Sequence, residues 1–262
     1  MRDVLERTAA AARAGHALLI LADYDGTLTP TVDDPRLAAL PDRMRSVLSR
    51  LSASAGCSVG VVSGRSLDEL MQLVDMPELY FAGSSGLELM AAGERIVLPG
   101  VRQAAPALPP LADAIESKFR PGDGVEVERK PYGLAVHHRG ADPAAVAAAT
   151  EIVAEFVARL EVDVRVVLGA LEIEITPLAV HHKGSAVRFF RDMLGDGRAL
   201  IVYAGNDAND APAMAAVEDL GGVTIGVGCH APSASRHSVA APADLAEVFE
   251  RLLAAFSQPA DA

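Results

Sequence analysis

A doubly wound parallel α/β sheet, interrupted by a smaller inserted α+β domain, is the fold that this sequence predicts. Three observations carry it. Apolar, strand-like runs alternate with amphipathic, helix-like stretches towards both ends of the chain, the rhythm of parallel strands joined by crossover helices. In the middle the rhythm changes to two strands, a helix and two strands. Polar and acidic residues gather directly after the apolar runs, at the edge where open parallel sheets hold their ligands.

Taken in order, residues 17–22 (ALLILA) read as a buried strand and 41–53 as a helix opened by a proline. A strand at 57–62 (CSVGVV), a helix at 66–74 (SLDELMQLV) and a short strand at 79–82 (LYFA) complete a βαβαβ unit. A proline-rich passage, Pro99–Pro110, leads into a helix at 108–119. The stretch 125–140 (VEVERKPYGLAVHHRG) reads as two strands about a Pro-Tyr-Gly turn. An alanine-rich helix at 142–160 and two strands between 164 and 177 close this block. Residues 104–178 are therefore the expected inserted domain, a cap, and 1–103 with 179–262 the expected core domain. The first rhythm resumes with a helix at 183–194, a strand at 199–204 (ALIVYA), a helix at 209–217, a strand at 223–227 (VTIGV) and a helix at 242–256.

Of the 262 residues, 50% are hydrophobic and 22% charged, enough apolar material for a packed core. The net charge of −12 repels nucleic acid and anionic membranes, so neither is an expected partner. No apolar run approaches the ~20 residues that span a bilayer, and the first residues lack an apolar signal core. A cytoplasmic protein, monomeric or a small homo-oligomer, is the expectation. Cys57 and Cys229 lie far apart without metal-ligand spacing and read as two buried thiols in a reducing compartment. Only Lys118, Lys130 and Lys183 are lysines among 23 basic residues, a hint that these positions need a compact ammonium.

The residues that follow each core strand carry the chemistry. After the first come Asp23, Asp25, Gly26 and Thr27; after the second, Ser63, Gly64 and Arg65; after the third, Gly83, Ser84, Ser85 and Gly86. Lys183 opens a helix, and Gly205, Asn206, Asp207, Asn209 and Asp210 follow the next strand. Singly, such aspartates cap helices or make turns. Together, at one sheet edge, they converge on a site. Acids brought that close repel unless a cation relieves them, and hard oxygen ligands favour Mg²⁺. The chemistry that fits is phosphoryl transfer through an aspartyl-phosphate. Asp23 attacks phosphorus, while Asp25 protonates the leaving oxygen and then activates water. Ser63 and Lys183 stabilise the phosphoryl oxygens.

DYDGTLTP (23–30), VVSGR with Ser63, HHKG with Lys183 and GNDAND (205–210) resemble, in order, the four motifs of the haloacid dehalogenase superfamily. The resemblance spans nearly the whole chain. It implies a Rossmann-like core, a cap between the second and third motifs, and Mg²⁺. Its metal-ligand position is occupied here by Asn206, and the implied ligand set is Asp23, Asp25, Asn206 and Asp207. Within the superfamily the sequence is similar to the trehalose-phosphatase family. Tyr24 stands in DYDGTL, Glu88 in GSSGLE, and Glu128, Lys130, His137 and Arg139 in ERKPYGLAVHHR, with Glu174 and Pro177 forming E-x-x-P. The family resemblance implies that Glu128, Lys130, His137, Arg139 and Glu174 grip sugar hydroxyls, with Arg65 and Glu88 on the core side. It implies a phosphoric monoester hydrolase that converts trehalose 6-phosphate to trehalose and phosphate. Three positions depart from the family pattern. Ser85 replaces a histidine, Asn206 an acid and Thr176 a basic residue. Another sugar phosphate, or a pseudo-disaccharide phosphate of specialised metabolism, therefore stands open as substrate. A sugar phosphomutase would share the first step. Signalling receiver domains lack both the second acid of D-x-D and a large cap, so Asp25 and residues 104–178 argue against that class.

Overall fold

The structure is a computed structural model and describes residues 1–32, 34–169, 171–177, 182–193 and 197–257. The chain divides into two compact units, Met1–Ile96 with His182–Ala262, and Val97–His181.

In the larger unit, α1 (Arg2–Arg13) precedes β1 (Leu18–Ala22), and α2 (Asp42–Ser52) leads to β2 (Cys57–Val62). Helix α3 (Leu67–Val74), β3 (Tyr80–Gly83), β4 (Glu88–Ala91) and β5 (Glu94–Val97) follow. The smaller unit holds α4 (Val101–Ala104), α5 (Pro109–Lys118), β6 (Glu126–Lys130), β7 (Gly133–His137), α6 (Pro143–Val157), β8 (Val164–Leu168) and β9 (Glu172–Pro177). The chain returns through α7 (Lys183–Met193), β10 (Leu200–Gly205), α8 (Ala211–Asp219), β11 (Val223–Val227), β12 (His237–Val239) and α9 (Pro242–Phe256).

Among the described residues the larger unit contains an eight-stranded sheet in the order β12-β11-β10-β1-β2-β3-β4-β5. Pairings from β12 to β3 are parallel, and β4 runs antiparallel to β3. Strand β1 is buried along its whole length, as a central parallel strand covered on both faces must be. Leu18, Ile20 and Ala22 join a core cluster with Met44 and Leu48 of α2 and Phe249 and Leu252 of α9. Leu19 and Leu21, one residue out of phase, face the opposite side. From β1 the chain builds outward through β2 and β3 on one side, and later through β10 and β11 on the other. The order therefore reverses between β1 and β10, and a ligand crevice is expected at that point, beyond the strands' carboxyl ends.

The smaller unit contains a four-stranded antiparallel sheet, β6-β7-β9-β8. Leu134, Val136, Ile173 and Ile175 share one face and pack on Leu111 and Ile115 of α5 and Ala149 and Val153 of α6. Glu128, Ala135 and Glu174 line up across β6, β7 and β9 on the other face. A hydrophobic face thus meets the helices, and a polar face is presented opposite.

Three strands were not expected from the sequence. Strands β4 and β5 form a hairpin whose turn residues Ala92 and Gly93 both have positive φ, at 50° and 81°. That conformation suits a two-residue hairpin, but an alanine there does not announce it. Strand β12 is only three residues long and carries no apolar run. Cys57 is buried, but Cys229 is exposed, a correction to the expectation of two buried thiols. It lies in the polar loop between β11 and β12. The end of the expected helix at residue 194 lies outside the described residues, and no described helix is long and apolar enough to cross a membrane.

Candidate active site

Register brings the core residues to one place. Ala22 pairs with Ala204 on one side and Val61 on the other. Asp23, Asn206 and Ser63 therefore leave the sheet at the same edge. The Asp23 N–H still donates to the Ala204 carbonyl at 2.9 Å, so the nucleophile candidate is fixed by the ladder itself. The chain then turns tightly, with the Thr27, Leu28 and Thr29 amides all donating to the Tyr24 carbonyl. Tyr24 is fully buried and its hydroxyl donates to the Ala38 carbonyl at 2.8 Å. Gly26 sits at φ +76°, and a Cβ there would stand 2.2 Å from Asn206 Nδ2. Only glycine allows both the turn and the approach of Asn206.

Lys183, at the start of α7, donates to Asp23 Oδ1 at 2.7 Å and to Asp210 Oδ1 at 2.8 Å. Lys183 is 4% exposed and Asp210 is fully buried, so the ammonium lies between two carboxylates with little water to screen them. Burial opposes the Lys183 charge, but Asp210 and Asp23 outweigh it and hold the group above its usual range. Burial pushes the Asp23 carboxyl up to about 7; Lys183 acts against this, while Asp210 and Asp25 add to it. Asp210 also accepts from the Tyr203 hydroxyl at 2.7 Å and from the Asn206 and Asp207 amides at 2.9 and 3.2 Å.

The Asp25 carboxylate turns to Arg65, whose Nε and Nη2 grip its two oxygens at 2.7 and 2.8 Å. Arg65 also bonds Glu69 and the Pro35 carbonyl, and lies 5.8 Å from the centre of the Tyr24 ring. Ser63 is 2% exposed, and its hydroxyl accepts from the Arg65 amide. Beside it, Ser84 and Ser85 both adopt left-handed φ, 50° and 57°, which side-chain-bearing residues hold only under constraint. The constraint is visible. Their amides donate to the Arg65 and Ser63 carbonyls, and the Ser84 hydroxyl donates to Glu88. Glu88 is 0% exposed, also caps α3 through the Leu67 amide, and pairs with Arg95 at 2.6 Å.

Whether these residues suit a divalent cation can be read from Asn206. One terminal atom of its amide stands 3.1 Å from Asp23 Oδ2, 2.9 Å from the Asp25 carbonyl and 3.1 Å from Thr27 Oγ1. With nitrogen inward, the amide donates to all three. With oxygen inward, Asn206 places a hard oxygen 3.1 Å from Asp23 Oδ2 and 2.9 Å from the Asp25 carbonyl, donor chemistry that suits a hard divalent cation. The donor set fits Mg²⁺, with the Asp25 main chain rather than its side chain facing inward. Asp207 is exposed and its carboxylate accepts from the Ala208 amide. Among the described residues, no cluster of three His, Cys, Asp or Glu side chains could hold a metal.

In the smaller unit, His137 Nε2 meets Glu128 at 2.9 Å and His137 Nδ1 meets Glu172 at 3.3 Å. The Glu128 hydrogen bond, and then the Glu172 charge, raise the imidazole above its usual value against burial and Lys130. Lys130 lies 3.7 Å from Glu174, which is only 4% exposed, and Arg139 is exposed just beyond β7. Carboxylates, an imidazole and an ammonium on one sheet face are suited to hydrogen-bonding hydroxyl groups.

Asp210 and Tyr203 are the residues for which sequence reasoning assigned no role. The second acid of GNDAND was a usable signal for Asp210. Tyr203 stands inside an apolar run and gave none.

The architecture, a doubly wound sheet with a separate antiparallel sheet, is shared with a solved haloacid dehalogenase-like hydrolase from Bacteroides thetaiotaomicron, with a TM-score of 0.66 at 16% identity, covering 90% of this chain and 99% of that one. The chain belongs to the trehalose-phosphatase family, whose model matches residues 21–248. It is 36% identical to the trehalose-phosphate phosphatase of Mycobacterium marinum, covering 74% of this chain and 50% of that protein. It is 34% identical to that of Mycobacterium avium, covering 91% and 63%. Among solved structures, it matches the C-terminal domain of C. albicans trehalose-6-phosphate phosphatase with a TM-score of 0.78 at 21% identity, covering 95% and 96%. The chain spans about half to two thirds of the length of these curated relatives.

Proposed function

We propose that the chain is a Mg²⁺-dependent phosphatase that hydrolyses trehalose 6-phosphate to trehalose and phosphate. The observation that carries this reading is the buried Asp23–Lys183–Asp210 array at the end of β1. An Asp23 oxygen attacks phosphorus as the bond from phosphorus to the sugar oxygen breaks, and Asp25 delivers the proton to that oxygen. Water then attacks the aspartyl-phosphate, Asp25 takes its proton, and the phosphorus–Asp23 bond breaks to release phosphate. Lys183 and Ser63 hold the phosphoryl oxygens. Asp23, Asp25 and Asn206, with Asp207 nearby in the loop, would hold Mg²⁺, which offsets repulsion between the attacking carboxylate and the phosphate. Arg65 steers Asp25. Glu88 acts through the Ser84–Gly86 loop that it braces. Residues 104–178 act as a cap, in which Glu128, Lys130, His137, Arg139 and Glu174 read sugar hydroxyls.

The test is phosphate release with Mg²⁺ from trehalose 6-phosphate, sucrose 6-phosphate, glucose 6-phosphate and mannose 6-phosphate. A kcat/KM highest for trehalose 6-phosphate is expected. A higher value for another member of the panel would transfer the assignment to that sugar, with Ser85 and Thr176 as the first positions to exchange.

A further inference from the structure

We propose that Tyr203 is a positioning residue for the nucleophile and for the metal loop, acting through Asp210. The inference rests on the phosphatase reading of the site and goes beyond it. Tyr203 lies within β10, is 0% exposed and is paired in register with Leu21 of β1. A phenylalanine would fill such a position without a polar atom to satisfy. Among the described residues the hydroxyl has a single destination, Asp210 Oδ1, at 2.7 Å.

Asp210 connects the two groups that flank the nucleophile. Its Oδ1 holds Lys183, which donates to Asp23 Oδ1. Its Oδ2 holds the Asn206 and Asp207 amides, and the Asn206 side chain stands 3.1 Å from Asp23 Oδ2. Both oxygens of Asp23 are thus placed by groups anchored on one buried carboxylate. The terminal torsion of an aspartate is soft. The Tyr203 hydroxyl, coming from the strand below, fixes the plane of that carboxylate and so the spacing between ammonium and loop.

The test is Tyr203→Phe in the full chain. Turnover of the preferred sugar phosphate should fall about 10-fold, the equivalent of one charge-assisted hydrogen bond, with KM within about 2-fold of wild type. Mg²⁺ affinity, measured by calorimetry without substrate, should weaken by about 3-fold or more, because the amides that shape the Asn206 loop lose their fixed anchor. A variant that is less heat-stable but keeps wild-type kcat and Mg²⁺ affinity would reduce Tyr203 to a packing residue and overturn the inference. Should Tyr203→Phe not fold, 3-fluorotyrosine placed at position 203 gives the same answer by fluorine NMR. Its resonance should move on Mg²⁺ addition, and a stationary resonance would count against the coupling. Asp23→Asn, assayed in parallel, separates the two levels. Activity surviving there would sink the site assignment itself, whereas an inactive Asp23→Asn beside a fully active Tyr203→Phe would sink only the role of Tyr203.

Discussion

Arg65 shows what a single side chain does in this site. Its planar fork engages both oxygens of Asp25, a geometry that an ammonium cannot reproduce. Arg65→Lys should therefore lower kcat by about 10-fold or more while leaving KM near wild type, because Asp25 loses its fixed direction rather than the substrate losing a contact. Steady-state kinetics on the preferred sugar phosphate would check this, and a loss confined to KM would make Arg65 a substrate ligand instead. At this scale the sequence was readable wherever a polar residue ended an apolar run. Asp23, Asp25 and Ser63 were visible for that reason, and Lys183 because it opens a helix. What stayed hidden was partnership. Nothing in the sequence says that Arg65 grips Asp25, or that Glu88 is buried and shared between the α3 amide, Ser84 and Arg95. Such contacts join residues on different elements, and only the folded chain brings them together.

The elements of the smaller unit give a second kind of prediction. Strands β6, β7 and β9 hold His137 between Glu128 and Glu172, which raises its folded pKa above that of the unfolded chain. Linkage then fixes the sign. The stabilisation is fully present below about pH 6.5, the unfolded value, and is lost as pH rises through the higher folded value. Because the His137 side chain is 40% exposed, the effect is small, about 0.2–1 kcal/mol. Denaturant unfolding between pH 5.5 and 8.5 should show this slope in wild type and a flatter one in Glu128→Gln; equal slopes would mean that the pair contributes nothing. Long, strongly patterned elements were legible. The expected helix at 142–160 forms as Pro143–Val157, and the strand at 57–62 as Cys57–Val62. The β4–β5 hairpin was not, because its turn relies on Ala92 in a conformation normally left to glycine or asparagine.

For the whole molecule, the order of the strands decides the chemistry. Because β1 lies between β2 and β10, the acids after β1, the serine after β2 and the loop after β10 reach one another without any long excursion of chain. The change of rhythm in mid-sequence signalled a second sheet, and the structure has one, separate and antiparallel. The family likewise was legible, because Tyr24 in DYDGTL, Glu88 in GSSGLE, the ERKPYGLAVHHR segment and the Glu174–Pro177 pair are short local patterns. The substrate was less legible than the family, because Ser85, after β3 in the larger unit, and Thr176, in β9 of the smaller one, depart from the family pattern.

The most direct measurement is phosphate release from trehalose 6-phosphate by Asp23→Asn beside wild type, both with Mg²⁺ and both checked for an intact fold by thermal unfolding. With the nucleophile gone, turnover should fall at least about 1,000-fold while the unfolding transition stays cooperative. A folded Asp23→Asn protein that still turns over near the wild-type rate would contradict covalent phosphoryl transfer at the end of β1, and with it the role of Asp23 as nucleophile.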